Sequence, residues 1–391
     1  MESVARKWEM QEIEREVRRF EWEGDYRPAV RRALKELLEG RMAAEVSAHL
    51  EAMEAAGLAD RRNGSYERHV LTEVGDVVLA VARTRRMSAK GLLAAYQRRS
   101  EPLDRALLAC FVLGASTRKA GAIFAELCGE RVSAETVSRV AKQLDGLVSA
   151  YHRRPLKDRY RFLFFDGVVL KRKTGAGSQK RVVLVALGIL PDGRKEVIDF
   201  GLAQGESEAA WSGFLNDLYR RGLFGEALEL IVTDGGAGLL AALPLVYPHV
   251  PVQRCWAHKT RNVLDRVKKN DQPAVKKDLH AISHAPNLAC AQHALKRFQA
   301  HWAAIYPTAW RGLFDDIESL LNFYRIRDPK VWTQIRTTNA IERRFVEVRR
   351  RTRPMGVFSD RTSMERILYA VFAYENKRQT AGGPFLLTQT I

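Results

Sequence analysis

Two aspartates in the sequence each follow a short apolar run and precede a glycine. Asp166 is the fifth residue of Phe-Leu-Phe-Phe-Asp-Gly, and Asp234 is the fifth residue of Leu-Ile-Val-Thr-Asp-Gly. The runs predict buried strands, and if the strands are neighbours the two carboxylates converge at one end of a sheet, where they can hold a cation. The alternative for each residue is a turn, because Asp-Gly is a common hairpin signal. The repetition of the pattern favours a shared site.

A third carboxylate, Glu342, ends the motif Thr-Thr-Asn-Ala-Ile-Glu, which we predict to be helical. The buried stripe of this helix would be formed by Ile341, Phe345 and Val348. Glu342 lies beside the stripe and would reach the sheet; alternatively, with Asn339 as the N-cap, it closes a capping box. Three carboxylates supply hard oxygen ligands that suit two Mg²⁺ ions, with Mn²⁺ as a substitute. Such ions activate water or a 3′-hydroxyl for attack on a phosphodiester.

Arginines follow Glu342 at a density that a solvated helix face does not need. They are Arg343, Arg344, Arg349, Arg350, Arg351 and Arg353. Arg349 comes seven residues after Glu342 and therefore falls on the same line of the helix. We predict that the cluster contacts DNA phosphates, for which arginine provides bidentate donors that are always charged. The alternative is a general polyanion-binding or solubilising face.

A Cys-x-x-His pair, Cys255 and His258, follows the strand after Asp234 and is half of a zinc site. Four later residues could complete the ligand set: His280, His284, Cys290 and His293. Their separations are not those of a familiar zinc finger. Core packing, or a polar role near the DNA, is the favoured interpretation.

The composition limits the partners of such a site. The 391 residues include 64 Lys and Arg against 46 Asp and Glu, a formal net charge of +18 that predicts a polyanionic partner. The longest apolar run, residues 182–190, is far short of the roughly 20 residues needed to cross a bilayer, so we expect no membrane partner. The N-terminus lacks the apolar segment of a secretory signal, and the four cysteines are too few for a disulfide framework. These features predict a cytoplasmic protein, associated with the nucleoid when bound to DNA.

The elements that must position these residues fall into six predicted regions. Residues 1–60 are predicted to be helical, residues 61–100 to form a small β-containing module, and residues 101–155 to form a helix-turn-helix region. An α/β core is predicted in two parts, 156–259 and 334–391, the second with the Glu342 helix and the C-terminal helices. Residues 260–333 form an all-α insertion between them. In the β-containing module, the turn is expected around Gly75 and Asp76.

The helix-turn-helix prediction depends on two short helices at 117–127 and 134–146, with Ser133 as the N-cap of the second. The buried stripe of the second helix would comprise Val137, Val140 and Leu144. Arg139 and Lys142 would then point outward, where a recognition helix meets a major groove, and we predict that both contact DNA. An ordinary helical hairpin in a larger bundle is the alternative.

The first part of the core contains three apolar strands, a helix over residues 206–220, and two further apolar strands. Three consecutive strands followed by a crossover helix and another strand are typical of a mixed α/β sheet of the ribonuclease H type. The fold class expected is therefore a ribonuclease H-like α/β core with an all-α insertion, preceded by a helical DNA-binding region.

Together these motifs resemble the bacterial Mutator-like insertion-sequence transposases, which carry a DDE catalytic triad. The resemblance covers most of the chain and is most specific at the motif that ends in Glu342 and leads into the arginines. It implies that Asp166, Asp234 and Glu342 bind the catalytic metals and that Cys255 and His258 lie near the site. It also implies a circular transposition intermediate. One departure is the sequence Ser-Asp-Arg after Phe358, where the family usually has Pro-Asn.

The expected function is thus binding of terminal inverted repeats, DNA cleavage and strand transfer by a homodimer or larger assembly on double-stranded end and target DNA. A ribonuclease H-like nuclease without strand transfer, or a domesticated non-catalytic DNA-binding regulator, are the alternatives. By the same resemblance, tryptophans of the insertion could stack on unpaired bases, although core packing is favoured for each. These tryptophans are Trp302, Trp310 and Trp332.

Overall fold

The computed structural model of the protein describes residues 26–89, 99–128, 132–174, 177–358 and 360–378. These residues divide into two compact units. The first comprises the described residues up to Phe111 and from Ala115 to Ala141, and the second comprises Val112–Gly114 and the described residues from Lys142 onward. No helix in the described ranges is long and apolar enough to cross a membrane.

In the first unit a long helix packs on a β-hairpin. Helix α1 (Arg27–Ala55) lies against strand β2 (Gly75–Thr84), which pairs antiparallel with β1 (Arg62–Thr72). Alternate residues of β2 are buried, as expected for a strand with one face on a core. That core is formed by Met42, Val46, Val70, Val77, Leu79, Val81 and Ala89. The predicted turn around Gly75 and Asp76 is wrong, because Thr72 pairs directly with Gly75 and the two turn residues are 73 and 74.

Three short helices follow in the first unit: α2 (Glu101–Val112), α3 (Thr117–Cys128) and α4 (Ala134–Ala141). Helix α3 closely approaches the segment before α4, since a side chain at Gly121 would collide with the carbonyl oxygen of Val132. The Ser133 hydroxyl accepts a hydrogen bond from the Thr136 N–H at 3.1 Å, the cap expected from the sequence.

The second helix of this pair is shorter than predicted. Helix α4 ends at Ala141 with Val137 and Val140 buried, and Leu144 instead begins a separate helix, α5 (Leu144–Arg153). Lys142 is therefore an exposed residue after the helix, not a member of its outward face.

The second unit is built on a five-stranded mixed sheet with the order β5-β4-β3-β6-β7. The strands are β3 (Phe162–Thr174), β4 (Gly177–Ile189), β5 (Lys195–Ala203), β6 (Leu230–Thr233) and β7 (Val252–Arg254). Strands β3, β4 and β5 are antiparallel, whereas β6 and β7 run parallel to β3. The sheet is therefore the mixed α/β sheet that the sequence predicts.

Helices cover both faces of this sheet. Helices α6 (Glu208–Arg220) and α7 (Ala237–Val246) form one apolar core with it, which includes Trp211. On the other face, α15 (Arg361–Arg378) contacts β5, where the Asn376 side chain bonds both the N–H and the carbonyl of Val197 at 2.8 and 2.9 Å. Burial on two faces explains the unbroken apolar run of β4, residues 182–189.

A run of helices lies between β7 and the last helices of the second unit. Its helices are α8 (Trp256–Leu264), α9 (Gln272–Ser283), α10 (Leu288–Trp302), α11 (Pro307–Phe314), α12 (Ile317–Leu321) and α13 (Pro329–Ile335), with a 3₁₀ turn at Asn322–Arg325. Hydrogen bonds attach it to the sheet edge: the Gln253 amide donates to the Leu320 carbonyl at 2.9 Å and accepts from the Phe323 N–H at 2.8 Å. Helix α14 (Asn339–Thr352) and a 3₁₀ turn at Arg353–Met355 then return the chain to the core.

Candidate active site

Asp166 and Asp234 lie on neighbouring parallel strands. Phe165 of β3 pairs with Thr233 of β6, so the next residue of each chain segment is an aspartate. Asp166 is not at a strand end, however, because β3 continues to Thr174 and Asp166 pairs with Val185 of β4. The alternative of an Asp-Gly hairpin turn at this position is therefore wrong. Asp234 does follow the last residue of its strand.

Backbone N–H groups orient both carboxylates. The Gly167 N–H donates to Asp166 Oδ1 at 2.7 Å, and the Gly236 N–H donates to Asp234 Oδ1 at 3.0 Å. Gly235, which lies between Asp234 and Gly236, has a φ of 94°, a conformation that favours glycine. The glycine after each aspartate thus serves the geometry of the carboxylates.

The pKa of Asp166 is raised to about 7. Burial is the main cause, because it disfavours the charged form, and the negative charge of Asp234 adds to it. Glu342 raises the pKa further, whereas the Gly167 hydrogen bond and His258 act in the opposite direction. The electrostatic influence of Asp234, Glu342 and His258 indicates that all four groups share one region.

Glu342 lies in the first turns of α14, with Ile341, Phe345 and Val348 buried as predicted. The N-cap of this helix is Thr338 and not Asn339, so the alternative interpretation of Glu342, a capping box with Asn339, is wrong. Instead, Glu342 Oε1 accepts a hydrogen bond from the Thr338 hydroxyl at 2.9 Å and lies 3.8 Å from His258 Nδ1. The Glu342 carboxylate thus contacts the side chains of Thr338 and His258 and does not close a capping box with Asn339.

Cys255 and His258 occupy the junction between β7 and α8, beside Glu342. Cys255 is buried, and its Sγ accepts from the Thr338 N–H at 3.3 Å. Burial raises the pKa of the Cys255 thiol, but hydrogen bonds from His258 and Thr338 outweigh it, and the net shift is downward. The pKa of His258 is raised, first by its hydrogen bond with Cys255 and then by the charges of Cys255, Glu342 and Asp234.

Glu206, predicted only as the first residue of a helix, is a fourth carboxylate at this place. A Cβ atom added to Gly167 would lie 2.5 Å from Glu206 Oε1, and one added to Gly236 would lie 3.7 Å from Oε2. Burial and then the charge of Asp234 raise the pKa of Glu206. The signal available in the sequence was weak: a glutamate just before the Ser207 N-cap of α6.

A sequence model of the family described as "Transposase, Mutator family" matches residues 1–380 of the chain. The chain belongs to this family. It is 33% identical over 360 residues to the transposase for insertion sequence element IS905 of Lactococcus lactis subsp. lactis (strain IL1403), covering 91% of this chain and 90% of the relative. It is 31% identical to the IS1201 transposase of Lactobacillus helveticus, covering 87% and 91%, and 32% identical to the IS256 transposase in transposon Tn4001 of Staphylococcus aureus, covering 80% of each.

The arginine cluster of this Mutator-family transposase is not one phosphate-facing surface. Arg351 is only 1% exposed, donates to the Val112 carbonyl at 3.1 Å and forms an ion pair with Glu347. Arg344 pairs with the buried Glu375 at 2.8 Å. The predicted role of these two arginines is corrected accordingly, since both stabilise the packing of α14. Four members are exposed: Arg343, Arg349, Arg350 and Arg353.

Arg139 and Lys142, the contacts predicted in the first DNA-binding region, are both exposed. Arg139 forms an ion pair with Glu135 one helical turn earlier, at 3.0 Å. Because a surface pair of this kind is worth less than about 1 kcal/mol, it leaves the guanidinium able to exchange partners.

The insertion tryptophans of the transposase are engaged in its own packing. Trp302 donates to Asp278 at 2.8 Å, and Trp332 donates to the Ile326 carbonyl at 2.8 Å and packs on Phe323. Trp310 stacks on Phe298, with 6.3 Å between the ring centroids. These contacts agree with the favoured interpretation of core packing.

In the described parts of the transposase, no three His, Cys, Asp or Glu side chains already form a group that could hold a metal ion. The residues considered for zinc have other neighbours: Cys255 contacts Thr338, and the rings of His280 and His284 stack 3.4 Å apart. The carboxylates nevertheless suit a hard cation. Among the described residues no lysine or arginine forms an ion pair with Asp166 or Asp234, so only the Gly167 N–H and His258 favour the charged form of the half-buried Asp166.

Proposed function

We propose that this protein is a DDE transposase that binds the terminal inverted repeats of its insertion sequence, cleaves the DNA at these ends and joins them to another phosphodiester. The observation that carries the proposal is the pairing of β3 with β6, which puts Asp166 beside Asp234 in a region that Glu342 also influences. A site of three carboxylates in a protein of net charge +18 suits phosphodiester chemistry on DNA.

The proposed core is of the ribonuclease H type. Its sheet has three antiparallel strands followed by two parallel ones, with the first strand in the middle. Asp166 lies on that central strand, Asp234 follows the adjacent strand, and Glu342 comes from a later helix. This arrangement supports the assignment because three distant parts of the chain supply one site.

Asp166, Asp234 and Glu342 would hold two Mg²⁺ ions, for which Mn²⁺ could substitute. Such ions, when bound, activate the attacking oxygen and stabilise the leaving one. The chain itself orients Asp166 and Asp234 through the N–H groups of Gly167 and Gly236. With its pKa near 7, Asp166 gives up a proton when it becomes a ligand at neutral pH.

In strand transfer, the exposed 3′-hydroxyl gives up its proton to solvent and its oxygen bonds to a phosphorus, while the bond from that phosphorus to the 3′-oxygen of the neighbouring nucleotide breaks. The leaving oxygen takes up a proton, and no covalent bond to the protein forms. The element would pass through a circular intermediate, as the family resemblance implies. Two ends must be processed together, so we propose a homodimer or larger assembly on double-stranded end and target DNA.

Sequence-specific contacts are proposed for α3 and α4 of the first unit as a helix-turn-helix, with Arg139 of α4 facing DNA. Lys142, which follows α4 and is the first residue of the second unit after it, is proposed as a further DNA contact. Phosphate contacts near the carboxylates are proposed for the exposed arginines, which are Arg343, Arg349, Arg350 and Arg353.

The first test incubates labelled transposon-end DNA and Mg²⁺ with the wild type or Asp234→Asn and resolves products on a denaturing gel. We expect nicked and joined products from the wild type and a loss of roughly a thousandfold in the variant, the size implied by several kcal/mol of transition-state stabilisation. Both proteins should bind the DNA.

Two other outcomes identify the alternatives. Cleavage that depends on Asp234 but never gives joined products would indicate a nuclease without strand transfer. Tight end binding with no cleavage in either Mg²⁺ or Mn²⁺ would indicate a DNA-binding regulator.

A further inference from the structure

A buried threonine lies at the centre of the polar groups beside Glu342. Thr338 has no exposed surface and is contributed by the segment between α13 and α14. Its hydroxyl oxygen is 2.9 Å from Glu342 Oε1, 3.3 Å from Cys255 Sγ and 3.4 Å from His258 Nδ1. Groups from two distant segments of the chain therefore meet at one hydroxyl.

The hydroxyl has a single proton, so these contacts cannot all be donations. Glu342 is the preferred acceptor, because its oxygen is the nearest and a bond to a carboxylate is stronger than one to a thiol sulfur. The lone pairs of the Thr338 oxygen can then accept from the Nδ1–H of His258. The Thr338 hydroxyl thus links His258 to one oxygen of Glu342, and the position of His258 helps to fix that of the carboxylate.

The backbone of Thr338 is fixed independently of its side chain. Its N–H donates to Cys255 Sγ at 3.3 Å, across 83 residues of sequence. A second hydrogen bond joins the same two segments, because the Trp256 N–H donates to the Arg336 carbonyl at 3.0 Å. Residues 255 and 256 therefore hold the segment that precedes α14.

An ordinary helix cap does not account for this arrangement. Thr338 is the N-cap residue of α14, yet its side chain accepts no hydrogen bond from the first N–H groups of the helix. The hydroxyl is directed instead to Glu342, whose flexible side chain would otherwise sample several rotamers at large entropic cost on binding a ligand.

We propose that Thr338 is a positioning residue for Glu342, and that Cys255 and His258 serve the reaction by holding Thr338. This inference rests on the proposed function of Glu342 as a catalytic carboxylate. It gives the Cys-x-x-His pair a role that requires neither zinc nor direct contact with DNA.

The test compares Thr338→Val, which keeps the side-chain shape but removes the hydroxyl, with Thr338→Ser, which keeps the hydroxyl. End cleavage is measured in Mg²⁺, and Mn²⁺ binding to the protein is measured by electron paramagnetic resonance without DNA. We expect Thr338→Val to lower the cleavage rate and the Mn²⁺ affinity by about 10- to 100-fold, the usual effect of removing a group that orients a metal ligand. Thr338→Ser should restore both to within several-fold of the wild type.

Thr362→Val is the matched control, because Thr362 is exposed on α15, and it should leave both quantities unchanged. End-DNA affinity in EDTA and the melting temperature establish that the variants are folded. Should Thr338→Val melt below the assay temperature, Cys255→Ser and Cys255→Ala form the second pair. The serine variant keeps an acceptor for the Thr338 N–H and should be the more active of the two by at least several-fold.

Equal cleavage and equal Mn²⁺ affinity in the wild type and Thr338→Val would overturn the inference while leaving the proposed function intact. Equal losses in Thr338→Val and Thr338→Ser would also overturn it, since the hydroxyl would not be the cause. A wild type that neither cleaves end DNA nor binds Mn²⁺ would instead refute the proposed function, and the inference with it.

Discussion

The carboxyl group of Asp166 is held in an environment that disfavours its charge, first through burial and then through Asp234. Its pKa of about 7 lies well above the usual value of 3.8. In the absence of metal, the folded protein therefore binds a proton there that the unfolded chain releases. Folding stability is consequently lost as the pH rises from about 4 to about 7, because the unfolded state ionises first.

We predict that Asp166→Asn stabilises the metal-free protein at pH 8 by about 1–3 kcal/mol but has little effect near pH 4. The range is lower than the full pKa shift implies, because solvent and relaxation reduce such effects. Urea unfolding in EDTA at several pH values measures it. A constant difference between variant and wild type across this range would contradict the electrostatic explanation.

Glu206 makes the charge at the site larger than a triad would. We predict that Glu206→Gln decreases Mn²⁺ affinity by about tenfold, because one negatively charged pair of oxygens leaves the site. Calorimetric titration with Mn²⁺ provides the measurement, and Glu208→Gln, in the exposed first turn of α6, is the control. Identical affinities for both variants would remove Glu206 from the site.

At the scale of single elements, helix α14 carries both the apolar residues that pack it against the protein and the carboxylate of Glu342. Ile341, Phe345 and Val348 anchor it, while Glu342 is turned toward the carboxylate region. Some of its arginines are buried in the packing of the protein, and the others lie on the side of the helix that faces solvent. Neighbours in sequence therefore have opposite roles: Arg351 is 1% exposed and Arg350 is 66% exposed, although both pair with Glu347.

We predict that Arg351→Met destabilises the protein by about 2–4 kcal/mol, since it leaves Glu347 and the Val112 carbonyl without their buried donor. Arg350→Met is the control and should change stability by less than about 0.5 kcal/mol. Chemical denaturation of both variants and the wild type measures these changes in the free energy of unfolding. Equal stabilities would mean that burial of Arg351 carries no net structural role.

At the scale of the whole molecule, a net charge of +18 predicts strong and salt-dependent binding of DNA. The exposed arginines of α14 and the following turn should contribute by neutralising phosphates, whatever the DNA sequence. We predict that Arg349→Gln weakens binding to end DNA and unrelated DNA alike. The slope of log affinity against log salt should become shallower by about 0.9 for each phosphate that the variant no longer neutralises.

Arg139→Gln should behave differently, because α4 belongs to the unit proposed to recognise the ends. Its effect should be larger on end DNA than on unrelated DNA. Fluorescence anisotropy at several salt concentrations, with both DNAs and both variants, measures the two effects. Equal losses of specificity in Arg139→Gln and Arg349→Gln would contradict this division of roles.

Helix α7 (Ala237–Val246) was not predicted. The sequence by itself determined the order of the five core strands, helix α6, the run of helices after β7 and the buried stripe of α14. Each follows from local periodicity, which burial on one or two faces imposes on any stable element. The same logic identified Asp166, Asp234 and Glu342 as candidates. The local sequence was misleading where strand pairing outweighed it. Asp166-Gly167 has the sequence of a turn, but both residues pair antiparallel with β4 and the strand continues past them.

Only the tertiary structure decided which side chains meet. Thr338 reaches Cys255 across 83 residues, and Glu206 reaches the glycines beside both aspartates. The buried Arg351 donates a hydrogen bond to a carbonyl 239 residues earlier. Contacts of this kind depend on how distant elements pack, and no periodicity within one element encodes them.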